Sequence, residues 1–282
     1  MSTKKIKLKN NLKCFLFKLC KKYELDEEYF IEKYYNKFPK VKTVQETIEC
    51  LINTKKSVIR FGDGELELIK GNSIPFQKSS KQLSDRLKEV LSSTNENILI
   101  GLPHFIYSNK DNLQEISKNF WRVNGKSFRD TIAKYINIDN IYYASEFTIA
   151  FSAYKNFDVS KYFEDLKKIW QDKNITIICG STVFDKIEHN IFENAKSIEF
   201  IHAPSKNAFD KYDEILKSCL AIDKDRLLIT ILGPTAKILV YDLTNNGYRA
   251  LDLGHIAKAY DWYCKKKDTL QMKDAIDFFS PD

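Results

Sequence analysis

The stretch SVIRFGDGELELIKG, residues 57–71, ends a β-rich run with two carboxylates, Asp63 and Glu65, each preceded by a glycine. Two acids two residues apart in a non-helical turn at a strand end can converge on one hard cation. Mg²⁺ and Mn²⁺ take oxygen ligands and keep positions open for water and substrate phosphates. A cation held there neutralises a diphosphate and stabilises it as a leaving group. The same residues have a structural alternative, with Asp63 as a helix N-cap and Glu65 as a first-turn acid facing the helix dipole.

Two further turns suit an anion. In HAPSKNAFDKYDEIL, Ser205 or Asn207 could cap the following helix with Lys206 beside its N-terminus; in GPTAKILVYDL, Thr235 could cap, with Lys237 one turn in. Free helix N–H groups beside a lysine make a phosphate cradle, and ordinary capping is the alternative for each turn. His255 in ALDLGHIAKAYDW lies just past a strand-end glycine, where an imidazole could ligate metal, bind phosphate or act as a base. His104 in GLPHF is similarly placed, whereas His189 and His202 read as structural. The GxG within FGDGE lacks the third glycine of the dinucleotide fingerprint, and neither a P-loop nor a hydrolase nucleophile elbow occurs.

The elements that must position these groups alternate. Strand candidates are SVIRF (57–61), NILIG (97–101), NIYYA (140–144), NITIIC (174–179), SIEFIH (197–202), RLLITIL (226–232) and YRALDL (248–253). Between them lie amphipathic stretches, clearest in SDRLKEVLSS, YFEDLKKIWQ, AFDKYDEILKSCL and AKILVYDLTNN, and residues 25–56 read as helical. This alternation predicts an α/β fold with a largely parallel sheet. Gly62, Gly64, Gly101, Gly180, Gly233 and Gly254 follow predicted strands closely. Ligands of open α/β sheets bind beyond the carboxyl ends of strands, so these turns form the candidate site.

The net charge of +7 is concentrated at one end. Residues 1–22 carry eight lysines and no acid, and the remainder has 37 basic against 38 acidic residues. With no RNA-binding aromatic signature and no zinc-finger spacing, no nucleic-acid partner is expected. In the tail, Leu12, Phe15, Leu16 and Leu19 recur at helical spacing among lysines. It reads either as a basic helix in peripheral contact with an anionic membrane or as a docked helix with a solvated lysine face. Lysines interrupt every apolar stretch, unlike a secretory signal, and no apolar run is long enough to cross a bilayer. The six cysteines show no CxxC and no zinc spacing, and Cys179 and Cys219 read as packed small hydrophobes, which fits a cytoplasmic location.

RFGDGE, SKNAF and LGPTAKILVYDLTNNGYRALDLGHI, in that order, resemble the GT-D-type glycosyltransferase family over roughly residues 45–265. The family, formerly a domain of unknown function, is similar to enzymes that extend glycans on bacterial serine-rich adhesins, and it also occurs in polysaccharide gene clusters. The resemblance implies a Rossmann-like sheet flanked by helices in a domain over residues 45–282; the basic, helical extension over 1–44 lies outside it. It implies that Asp63-Gly64-Glu65 is a DxE motif holding Mn²⁺ or Mg²⁺ against the diphosphate of a UDP-sugar. Arg60 matches the motif arginine. The turns carrying Gly62, Gly180, Ser205, Lys206, Asn207, Gly233, Thr235 and Lys237 are then expected to line the nucleotide-sugar cleft, together with the segment Asp252 to His255. The reaction would move a hexose to a hydroxyl of a glycan, glycoprotein or lipid-linked acceptor. If it inverts configuration, Glu146 in YYASEF and His255 are the candidate bases. A metal-dependent phosphohydrolase or nucleotidyltransferase could use the same carboxylates, and a noncatalytic partner subunit would be expected to have lost them.

Overall fold

The computed structural model describes residues 38–108, 112–267 and 278. The lysine-rich segment 1–22 and the first part of the expected helix, 25–37, lie outside the described residues. The chain runs β1 (Lys40–Val41), α1 (Val44–Asn53), β2 (Ser57–Arg60), α2 (Asp63–Lys70), α3 (Lys81–Leu91), β3 (Ile98–Leu102), α4 (Glu115–Ile132), β4 (Ile141–Ala144) and α5 (Val159–Lys167). It continues through β5 (Asn174–Gly180), β6 (Ser197–Ala203), α6 (Tyr212–Leu220), β7 (Leu227–Ile231), α7 (Thr235–Asn245), β8 (Ala250–Asp252) and α8 (Ile256–Cys264).

The eight strands form one sheet in the order β1-β4-β3-β2-β8-β7-β5-β6, and every pairing is parallel. Strands covered on both faces must be apolar on both, which explains the unbroken runs ILIGL and LLITI. Successive residues serve opposite faces. Ile59, Ile98, Ile100, Ile178 and Leu228 pack with α2, α3, α4, α6 and α7 on one side. Val58, Leu99, Ile177, Ile229 and Leu251 pack with α1, α5 and α8 on the other. The α1 helix starts where the sequence gives it a capping box. Thr43 Oγ1 accepts the Glu46 N–H at 3.2 Å, and Glu46 accepts the Thr43 N–H at 2.8 Å.

The centre of the sheet is where the chain reverses its direction of progress. β2 leads on to its neighbour β3 on one side, while β8 arrives from its neighbour β7 on the other. The helices after β2 and β8 diverge from that point, leaving a crevice at the carboxyl ends of the two strands.

Candidate functional site

At that crevice, Asp252 ends β8 and is fully buried. Its Oδ2 accepts the Arg60 backbone N–H at 3.1 Å and lies 3.1 Å from Lys237 Nζ. The Arg60 guanidinium folds back over the strand end. Its Nε donates to the Asp252 carbonyl at 2.9 Å, Nη2 lies 3.5 Å from Asp252 Oδ1, and Nη1 donates to Thr148 Oγ1 at 2.7 Å and the Ser145 carbonyl at 3.2 Å. Gly254 makes room for it: φ is +49°, and a Cβ there would sit 1.8 Å from Arg60 Nη2. Lys237, 3 % exposed, also reaches Glu65 Oε1 at 3.0 Å and the Gly233 carbonyl at 3.1 Å. Glu65 Oε2 accepts the Gly62 N–H at 2.8 Å. Arg60, Asp252, Lys237 and Glu65 thus alternate in charge along a continuous chain of ion pairs.

The acid pair lies within the first turn of α2 rather than ahead of the helix, because α2 begins at Asp63 with Gly62 in the N-cap position. The capping alternative is half realised: Glu65 closes the helix start through Gly62, and Asp63 is not the cap. Asp63 keeps solvent access at the mouth of the crevice. The surrounding protein nevertheless desolvates its carboxyl, and with the neighbouring Glu65 charge this pushes its pKa above the usual carboxylate range. Among the described residues no group of three or more His, Cys, Asp or Glu side chains is arranged to hold a metal. A cation here would rest on Asp63 and Glu65 and complete its shell with water and substrate oxygens. The donor set fits a hard cation only together with substrate oxygens: Asp63 is open to solvent, whereas both Glu65 oxygens are already held, by Lys237 and by the Gly62 N–H.

Neither anion turn caps as the sequence suggests. Pro234 holds the N-cap position of α7 and Thr235 is its first residue, since Gly233 turns the chain with φ +51°. Thr235 is fully buried, and its Oγ1 has no hydrogen-bond partner. Lys237 is drawn into the ion network instead of standing free over the turn. After β6, Asn207 adopts a left-handed conformation with φ +53° and makes no side-chain cap. Its Oδ1 accepts the Lys78 N–H at 2.8 Å, and its own N–H donates to the Phe76 carbonyl at 2.8 Å. Ser205, packed against Gly180 at the end of β5, lies 3.2 Å from Thr182 Oγ1 through its hydroxyl, and Lys206 is exposed.

His255 follows Gly254 and lies between the Phe76 and Phe278 rings, at centroid distances of 6.0 and 5.9 Å. Burial, then the nearby Arg60, Lys258 and Lys237 cations, push its pKa down to about 3, so the imidazole is neutral at ordinary pH. Glu146, in the 3₁₀ turn Ser145–Thr148 that follows β4, is 3 % exposed. Its Oε1 accepts the Tyr154 hydroxyl at 2.7 Å and its Oε2 the His104 backbone N–H at 3.2 Å. Burial raises its pKa. His104 therefore joins the site by its backbone. His189 donates its backbone N–H to Asp261, and His202 stacks on Phe200 in an exposed position, both apart from the network.

Two contributors escape sequence reading. Asp252 falls in the DLGH motif, yet nothing in its spacing marks it as the buried centre of the network. The segment between α2 and α3 has no motif at all, but it crosses to the turn after β6. Ile74 lies over Gly64, Phe76 beside His255, and Gln77 Oε1 accepts the Phe209 N–H at 3.2 Å. The glycine-free run SIPFQKSS offered only its polarity as a signal.

Residues 58–277 match the family described as glycosyltransferase GT-D fold. The chain is 36 % identical over 227 residues to a protein of Streptococcus gordonii described as a probable glycosyl transferase Gly, covering 79 % of this chain and 33 % of that one. It is 30 % identical over 227 residues to glycosyltransferase GlyD of Streptococcus pneumoniae, covering 79 % of this chain and 27 % of the other. The chain spans a third or less of the length of these curated relatives. A solved structure described as a new glycosyltransferase from Streptococcus sanguinis superposes with a TM-score of 0.77 at 33 % identity, covering 81 % of this chain and 85 % of that one. Another, described as having a distinct glycosyltransferase fold, gives a TM-score of 0.79 at 34 % identity over 86 % of this chain and 87 % of the other.

Proposed function

Because this chain belongs to the GT-D glycosyltransferase family, we propose that it moves a hexose from a UDP-sugar to a hydroxyl of a glycan, glycoprotein or lipid-linked acceptor, with Mn²⁺ or Mg²⁺ held at Asp63 and Glu65. One observation carries the reading. The Glu65–Lys237 pair holds the first turns of α2 and α7 together, and at that junction the fold leaves two groups of opposite need: the Asp63 carboxyl and the buried Thr235 hydroxyl. A metal-bound diphosphate satisfies both. Its oxygens accept from the Thr235 hydroxyl at the start of α7, where the helix dipole favours negative charge. When bound, the ion offsets the charge that develops on the leaving diphosphate.

Arg60 and Asp252 position the two strand ends, and Asn207 fixes the turn that carries Lys206 near the same edge. Of the two candidate bases, Glu146 has the stronger basicity, because burial raises a carboxyl and lowers an imidazole. If the reaction inverts configuration, proton acceptance falls to Glu146, with His255 a neutral neighbour of the cleft.

The test is a panel of nucleotide sugars with Mn²⁺, read by melting temperature and by nucleotide release. Stabilisation by UDP that requires metal, with UDP released on turnover, is the expected outcome. Release of phosphate or pyrophosphate without UDP would instead point to a phosphohydrolase or nucleotidyltransferase.

A further inference from the structure

The ion network raises a question of charge. Lys237 carries three N–H donors, and all three have partners: Glu65 Oε1 at 3.0 Å, Asp252 Oδ2 at 3.1 Å and the Gly233 carbonyl at 3.1 Å. Glu65 is 8 % exposed and its second oxygen is held by Gly62 at 2.8 Å. Arg60 compensates Asp252 from the other side. Two buried anions therefore meet two cations, and the network is neutral as folded. Among the described residues, Asp63 alone of the acids at this strand end lacks a cationic partner.

A divalent ion arriving by itself meets one uncompensated carboxylate, because Lys237 already occupies an oxygen of Glu65. That is a poor site for a hard cation, which needs several oxygens to replace its water. The missing oxygens and negative charge are those of a diphosphate. We infer that Lys237 is a resident counter-ion that withholds Glu65 from the free metal, so that the divalent ion and the nucleoside diphosphate enter as one unit. Lys237 is in this sense a positioning residue: it sets the order of binding through Glu65 and holds α7 against α2. The inference rests on the reading of Asp63 and Glu65 as the metal site.

Manganese bound to the full chain in equilibrium dialysis, where metal chelated by free UDP or pyrophosphate is equal on both sides, separates the two ideas. In the wild type, UDP or inorganic pyrophosphate should raise manganese affinity at least tenfold over manganese alone. Lys237→Gln should strengthen binding of manganese alone and collapse that ratio towards one. Manganese binding equally well with and without UDP or pyrophosphate in the wild type would overturn the inference and leave the metal assignment standing. So would an unchanged ratio in a Lys237→Gln protein that melts cooperatively. If the variant fails to fold, the wild-type ratio decides by itself. Absence of manganese binding under every condition would instead remove the metal assignment beneath the inference.

Discussion

The strand ends that line the crevice and the neighbouring end of β7 are built on opposite plans. At β2 and β8, each charged group of the network is answered by another: Arg60 by Asp252, Lys237 by Asp252 and Glu65. At the end of β7, the fold leaves the Thr235 hydroxyl buried without a partner and opens the chain with a left-handed Gly233. Buried polar groups are normally satisfied, and the Thr235 hydroxyl is the group at this turn with a hydrogen bond still to make. The contrast separates scaffold from binding surface. Motif charges that are already paired hold the strand ends in place, and the groups awaiting a ligand are those the protein does not satisfy itself.

The contrast is broken most decisively through the scaffold. Asp252→Ala leaves Arg60 and Lys237 facing an emptied buried position, and loss of one partner of a buried pair costs about 3–5 kcal/mol. Denaturant unfolding should show a loss of that size, and a cost under about 1 kcal/mol would mean that the network is not what holds the crevice. Thr235→Val sharpens the other side. Removing a hydroxyl that has no partner should leave stability unchanged or raise it by about 1 kcal/mol. The same substitution should weaken UDP binding about tenfold, or ~1.4 kcal/mol, in a calorimetric titration. A destabilised variant with unchanged nucleotide affinity would place Thr235 in the scaffold.

A third effect is confined to acid. His255 has a folded-state pKa of about 3, below the unfolded value, so folding disfavours its protonated form. Its contribution is fully present above the unfolded imidazole pKa and is lost as pH falls from there towards about 3. His255→Gln should therefore flatten the decline of melting temperature across that window without altering it near pH 8. An identical acid profile in wild type and variant would contradict the burial of the ring.

The fold was legible because its signal is local. SVIRF, NITIIC and RLLITIL became Ser57–Arg60, Asn174–Gly180 and Leu227–Ile231, since a parallel strand covered on both faces must be apolar throughout. The exceptions have local causes too. β1 is only the pair Lys40–Val41 on the sheet edge, too short for any periodicity, and it interrupts the helix expected over 25–56. The 18-residue α4 carries Gly125 in its middle, which lowers its helical signal; the Arg129 side chain packs against that glycine instead. Cys179 and Cys219 are buried free thiols, as their apolar settings suggested. No helix among the described residues is long and apolar enough to cross a membrane. The site was legible only as a set of turns. Motif spacing places Asp63, Glu65, Thr235 and Lys237 at strand ends, but the pairing of Lys237 with Glu65 joins residues far apart in the chain. Whether a lysine is free or already paired is decided by that packing, not by the residues beside it.

Metal-dependent nucleotide binding at Asp63 is the most direct test of the account. UDP is titrated calorimetrically into the wild type and Asp63→Asn, each with and without Mn²⁺. The account predicts that manganese strengthens UDP binding about tenfold or more in the wild type, ~1.4 kcal/mol, and has no such effect in the variant. Asp63→Asn should also be at least as stable as the wild type at neutral pH. Folding raises the carboxyl pKa, so the ionised side chain opposes folding once pH exceeds its unfolded value. An Asp63→Asn protein that retains full manganese-dependent UDP binding would contradict the claim that this carboxylate holds the ion.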